Sequence, residues 1–154
     1  MEIHQKIKEE IKNLPAEYIL YLETSPEKVF EVSTAVVRYL SKTRDKGIII
    51  STNRPYKNLQ EIFKKNNIDE NKLIVIDPLS RIHNADINSK NVIFIDNLSA
   101  LTDISLAVDE NMNEENDSKF LFIDSLTTML IHNKPIVLAR FIHNILTKMR
   151  DRKS

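Results

Sequence analysis

Three aspartates each close an apolar run: Asp77 ends "KLIVID", Asp96 ends "NVIFID" and Asp124 ends "KFLFID". Carboxylates gathered at one edge of a sheet can hold a hard cation such as Mg²⁺, and a lone one can accept a phosphoryl group or move a proton. Each can equally cap a turn, since Asp77 precedes Pro78 and Asp96 precedes Asn97-Leu98-Ser99. The stretch Asn53-Arg54-Pro55-Tyr56 follows another apolar run. There Arg54 can grip a carboxylate or phosphate and Tyr56 can stack on a ring, or Pro55 can simply start the next helix. Ser25-Pro26-Glu27-Lys28 reads as a helix start, with serine at the N-cap, proline at the first position and glutamate in the first turn. An anion site at that terminus is disfavoured, because Glu27 is already negative and Pro26 lacks an N–H. His4, His83, His132 and His143 form no zinc-ligand pair at helical spacing.

Composition narrows the classes further. The chain has 154 residues, 22 basic and 22 acidic, so its formal net charge is zero and no global field draws it to nucleic acid or anionic lipid. The basic end "KMRDRK" has no interleaved aromatic residues and reads as cations at a helix C-terminus. With no cysteine, there is neither a thiolate nucleophile nor a disulfide framework. The start "MEIHQKIKEEIKNLP" is charged throughout, no run approaches a membrane span, and a cytoplasmic protein is expected. Gly47 is the single glycine. One glycine cannot build a loop that cradles phosphate.

The elements that must position these residues follow from periodicity. Ile3, Ile7, Ile11 and Leu14 form one helical stripe closed by Pro15, so residues 1–15 are expected to be an amphipathic helix and 16–154 a single domain. "EYILYLE" reads as a first buried strand and Val29 to Leu40 as a helix. "GIIIST", "KLIVIDP", "NVIFID" and "KFLFIDS" read as four further strands. Helices are expected after Pro55, through Leu98, Leu101, Ile104, Leu106 and Val108, and from Pro135 to the end, with a helical turn over 127–132 and a surface loop over 79–90. Strands apolar on both faces alternating with helices predict an α/β/α sandwich around a mostly parallel sheet of about five strands.

The blocks "SALTDISLAVDE", "KFLFIDSLTTMLIHN" and "VLARFIHNILTKMR", with "KGIIISTNRPYKNLQEIFKKNNID", resemble a RecA-type ATPase domain of the archaeal KaiC-like kind over roughly residues 17 to 150. The resemblance implies a RecA-like, P-loop NTPase-type fold, with Asp124 in the Walker B position followed by Ser125. Where active relatives carry G-x-x-x-x-G-K-[ST], this chain has "ETSPEKVFEVS", so Thr24, Ser25 and Lys28 stand at a degenerate P-loop position. Where paired glutamates activate water, it has Thr52 and Asn53. The likeness is closest to members that lack the P-loop and carry Asn-Arg-Pro-Tyr. A RecA-type sheet also gains a strand after its last helix, between the first strand and the Walker B strand. Here either the first strand pairs directly with "KFLFIDS", a partner supplies the strand, or the sequence ends short of it.

Two functions are therefore expected from different classes. One is a non-catalytic regulatory or protein-interaction module with a protein partner or a second copy. The other is a sensor that binds a nucleotide or another small anionic ligand, without hydrolysis, through Asn53, Arg54, Tyr56, Asp124 and Ser125. A third reading gives the aspartates a metal and an enzymatic role. No catalytic residue, metal ligand, cofactor, nucleic-acid surface or membrane contact is assigned.

Overall fold

The computed structural model describes residues 2–15, 18–80, 90–112 and 118–151. His83, most of the loop expected over 79–90 and the acidic stretch after Met112 lie outside them, as do Arg152 and Lys153. Helix α1 (Glu2–Lys12) precedes a 3-10 turn (Pro26–Lys28) that runs into α2 (Val29–Thr43). Strand β1 (Lys46–Ser51), helix α3 (Tyr56–Lys65), β2 (Leu73–Asp77) and β3 (Val92–Phe94) follow. Then come α4 (Leu101–Asn111), β4 (Lys119–Asp124), α5 (Leu126–His132) and α6 (Pro135–Asp151). Among the described residues no helix is long and apolar enough to cross a membrane.

The four strands form one parallel sheet in the order β3-β2-β1-β4. Successive residues of β1 point to opposite faces, so an unbroken apolar run means burial on both sides. Ile49 joins Val36, Val37, Leu40, Leu59 and Phe63 of α2 and α3 on one face. Ile48 and Ile50 join Leu101, Ile104, Met129, Leu138, Phe141 and Ile145 of α4, α5 and α6 on the other. Helices thus cover both faces, as the alternation predicts.

Among the described residues the sheet has four strands, not five. The run expected as the first strand has no strand pairing over residues 18–25, and Ile19 and Tyr21 are 63% and 72% exposed. Apolar β-prone composition marks a segment that can be a strand, but a strand exists only with a ladder partner, and pairing is decided far away in sequence. Both long edges of β1 are taken by β2 and β4, and β4 has no second neighbour among the described residues. Two further details differ from expectation. Leu106 is exposed, while Ala107 and Val108 face the core. Ser25 stands at the start of the 3-10 turn without a side-chain capping bond.

Order along the sheet defines a switch point. From β1 the chain moves to β2 and β3 on one side, then returns through α4 to β4 on the other. Connections leaving the carboxyl ends of β1 and β4 therefore diverge, and that divergence opens a crevice where α/β folds hold ligands. Asn53 and Arg54 follow β1, and Asp124 ends β4. At the far end of α3, Asn67 adopts a left-handed φ of 55°, and the Ile68 N–H donates to the Phe63 carbonyl at 2.9 Å. This Schellman closure turns Ile68 inward, where it is buried beside Phe63.

Candidate functional site

The β1 carboxyl end is locked to the β4 carboxyl end by short bonds. The Thr52 N–H and Oγ1 both donate to the Asp124 carbonyl at 2.7 Å, and the Ser125 N–H donates to Thr52 Oγ1 at 2.6 Å. The Asp124–Ser125 peptide is cis. Thr128 Oγ1 donates to Asn53 Oδ1 at 2.6 Å, and Asn53 Nδ2 donates to Asp124 Oδ1 and Ser125 Oγ, both at 3.4 Å. Ser125 Oγ also accepts from the Thr128 N–H at 3.3 Å, which caps α5. Asn53 and Ser125 thus belong to a clamp between β1 and the start of α5. Their polar atoms are largely occupied.

Arg54 and Asp124 go elsewhere. The Arg54 carbonyl accepts from Ser51 Oγ at 2.6 Å, which fixes the turn, and its guanidinium lies 4.4 Å from the centroid of the Phe30 ring. A cation–π contact of this kind is worth about 0.5–1 kcal/mol at an exposed site. Both residues line a cleft of about 360 Å³ between α2 and α3. Its walls are Val29, Val37, Leu59, Ile62, Phe63 and Ile68, with Ile49 and Phe122 beneath. At the carboxyl edge it is polar, with Asn53, Arg54 and Asp124. The volume is within the range of small-molecule pockets, roughly 300–1,000 Å³.

Burial pushes the Asp124 carboxyl above its ordinary range, while the hydrogen bond from Asn53 and the field of Arg54 pull the other way. Arg54 acts on Asp124 through space only; the side-chain bond to the carboxylate comes from Asn53. A carboxyl whose pKa rises on folding contributes stability below its unfolded pKa, and that contribution is lost as pH rises through the folded value. Asp124→Asn is therefore expected to melt higher than the parent at pH 7, with the gap narrowing as pH falls through the raised folded value and closed at about pH 3, below the ordinary aspartate value of about 3.9. Thermal melts at both pH values check this; a lower melting temperature at pH 7 contradicts it.

The other candidates lie apart. Tyr56 is fully buried, and its hydroxyl donates to the Glu70 carboxylate while accepting from Gln60 Nε2 at 3.2 Å. It is core, and no ring can stack on it. Asp77 is also fully buried and accepts from the Tyr56, Leu79 and Ser80 N–H groups at 2.9, 2.8 and 2.9 Å, and from Ser80 Oγ at 2.6 Å. It joins the end of β2 to the start of α3. Asp96 is exposed, as are His132 and His143, whereas His4 is half-buried on α1. Among the described residues no three histidine or acidic side chains converge as a metal site.

At the degenerate P-loop position Ser25 and Lys28 are exposed and Thr24 is half-buried. Lys28 spends its N–H on the Ser25 carbonyl at 3.0 Å, and Pro26 has none to offer. Of Thr24 to Lys28 only Pro26 lines the cleft, whereas Val29, Phe30 and Ser33 further along the same stretch also line it. Phe30, whose ring meets the Arg54 guanidinium, is absent from the sequence-derived site because its partner lies 24 residues on and nothing local marks the pair. Its 45% exposure sets it apart. No family model, curated protein or solved structure matches this chain.

Proposed function

We propose that this chain is a non-catalytic, RecA/KaiC-like domain that binds a small ligand in the cleft between α2 and α3 without turning it over. One observation carries the reading: an apolar cleft of about 360 Å³ brings Arg54 and the half-buried Asp124 to the same polar rim. Apolar walls supply affinity, and a few convergent polar groups supply orientation. A buried acid with a raised pKa is a stability cost of the kind retained at binding sites. The absence of turnover rests on sequence: no P-loop lysine follows the first apolar run, and Thr52 and Asn53 stand in place of a carboxylate base. The regulatory role is that of a sensor. A thermal-shift screen over nucleotides, small carboxylates and amino acids is expected to find a ligand whose stabilisation disappears in Arg54→Ala. Robust ATP hydrolysis that vanishes in Asp124→Ala overturns the non-catalytic reading, and a screen in which nothing shifts melting overturns the binding one.

A second reading, a protein-interaction module, is favoured by a different surface. Ile19, Leu20, Tyr21 and Leu22 are all substantially exposed, and one edge of β4 carries no strand among the described residues. An unpaired edge is a template for strand addition. The same preparation is then expected to show a mass above the monomer in solution; a monomer at every concentration, with no partner added, leaves this reading without a self-association.

A further inference from the structure

The two charges on the rim of the cleft have opposite sign and do not hydrogen-bond to each other. Asp124 receives its side-chain bond from Asn53, at 3.4 Å. The Arg54 guanidinium is steered by the Phe30 ring, 4.4 Å away. A ligand that is only an anion would meet Asp124, and one that is only a cation would meet Arg54. Phosphate is a poor fit, since Arg54 is the one cationic side chain among the described residues that line the cleft, and at the nearby helix start Pro26 has no N–H and Lys28 spends its own on the Ser25 carbonyl. A ligand carrying both charges a few bonds apart satisfies each, with a planar carboxylate against the planar guanidinium fork. Behind the rim, Val37, Ile49, Leu59, Phe63 and Ile68 are all buried and apolar, so the body of the ligand must be branched or aromatic.

Resting on the reading of this cleft as a ligand site, we propose that it takes a free α-amino acid with an apolar side chain: carboxylate on Arg54, ammonium on Asp124, side chain between α2 and α3. The arrangement also gives Asp124 a cationic partner in place of lost water. That explains why a half-buried acid is kept where burial raises its pKa.

Isothermal titration of the full chain with L-phenylalanine and L-leucine tests this, beside three probes that each lack one feature. Phenethylamine lacks the carboxylate, 3-phenylpropionate lacks the ammonium, and glycine lacks the side chain. The expected result is saturable binding of an apolar amino acid, with each truncated probe weaker by roughly tenfold or more, the scale of a charge-assisted hydrogen bond for the two one-charge probes and of a buried apolar side chain for glycine. Arg54→Gln is expected to erase the preference for L-phenylalanine over phenethylamine, and Asp124→Asn its preference over 3-phenylpropionate. Ser33→Phe, which fills the cleft from α2, is expected to abolish binding of every probe and serves if the Arg54 variant does not fold. Equal binding of a one-charge probe, or Arg54-dependent binding of a nucleotide but no amino acid, overturns the amino-acid assignment and leaves the cleft as a ligand site. No binding by any amino acid, analogue or nucleotide overturns both.

Discussion

Asp77→Ala is expected to lower the melting temperature by roughly 6–20 °C, at about 2–4 °C per kcal/mol for a chain of this size. The carboxylate is fully buried and accepts four hydrogen bonds, three of them from backbone N–H groups. Alanine leaves those donors without partners in a site water does not reach, at about 1–3 kcal/mol for each group that fails to find another. Partial relaxation makes about 3–5 kcal/mol a realistic total. Ser80→Ala removes only the hydroxyl bond of 2.6 Å and is expected to cost about 1 kcal/mol. Paired thermal melts check both; an Asp77→Ala loss no larger than that of Ser80→Ala contradicts the role assigned to the carboxylate. The local consequence is as informative as the total. Asp77 holds the Tyr56 N–H at the first residue of α3, and α3 forms one wall of the cleft. Loosening it should degrade the cleft although Asp77 does not line it.

That case also shows what the residue pattern can and cannot disclose. "KLIVID" announces a strand buried on both faces and an aspartate at its carboxyl edge, and both are present. It cannot say whether the aspartate points outward to a ligand or inward to a helix start, because the donors lie about twenty residues upstream and just downstream of it. Asn53, Arg54 and Tyr56 make the same point within four residues. Asn53 turns to the α5 start, Arg54 to the cleft and Tyr56 to the core beside Glu70. Side-chain type marked all three as capable of recognition; only tertiary packing sorts them. The four paired strands are legible as unbroken apolar runs because they are buried on both faces, and the main helices because burial of one face imposes a period of 3.6. The expected strand "EYILYLE" is absent over its described residues, 18–23, for the complementary reason. Its apolar run meets the local requirement for a strand, while the missing requirement, a neighbour to pair with, leaves no trace in the segment.

The contact between Gly47 and Phe120 supplies a prediction of similar size at the other end of the β1–β4 ladder. These residues are register partners, and a Cβ placed on Gly47 would lie 2.2 Å from the Phe120 ring. The φ of Gly47 is not positive, so the glycine is needed for space and not for conformation. In open surroundings Gly→Ala would stabilise by about 0.4–1 kcal/mol through the unfolded chain. Here Phe120 is buried in the layer under α2 and α3, and its ring must move into packed neighbours. Overpacking of about 1–3 kcal/mol therefore wins, and Gly47→Ala is expected to be net destabilising. Phe120→Ala alone is expected to cost about 3–5 kcal/mol, by lost burial and the void it leaves. Because each substitution addresses the other's defect, the double variant should be more stable than the sum of the two losses implies, with a coupling of at least about 1 kcal/mol. Additive losses in denaturant melts would show that the ring is not what Gly47 accommodates.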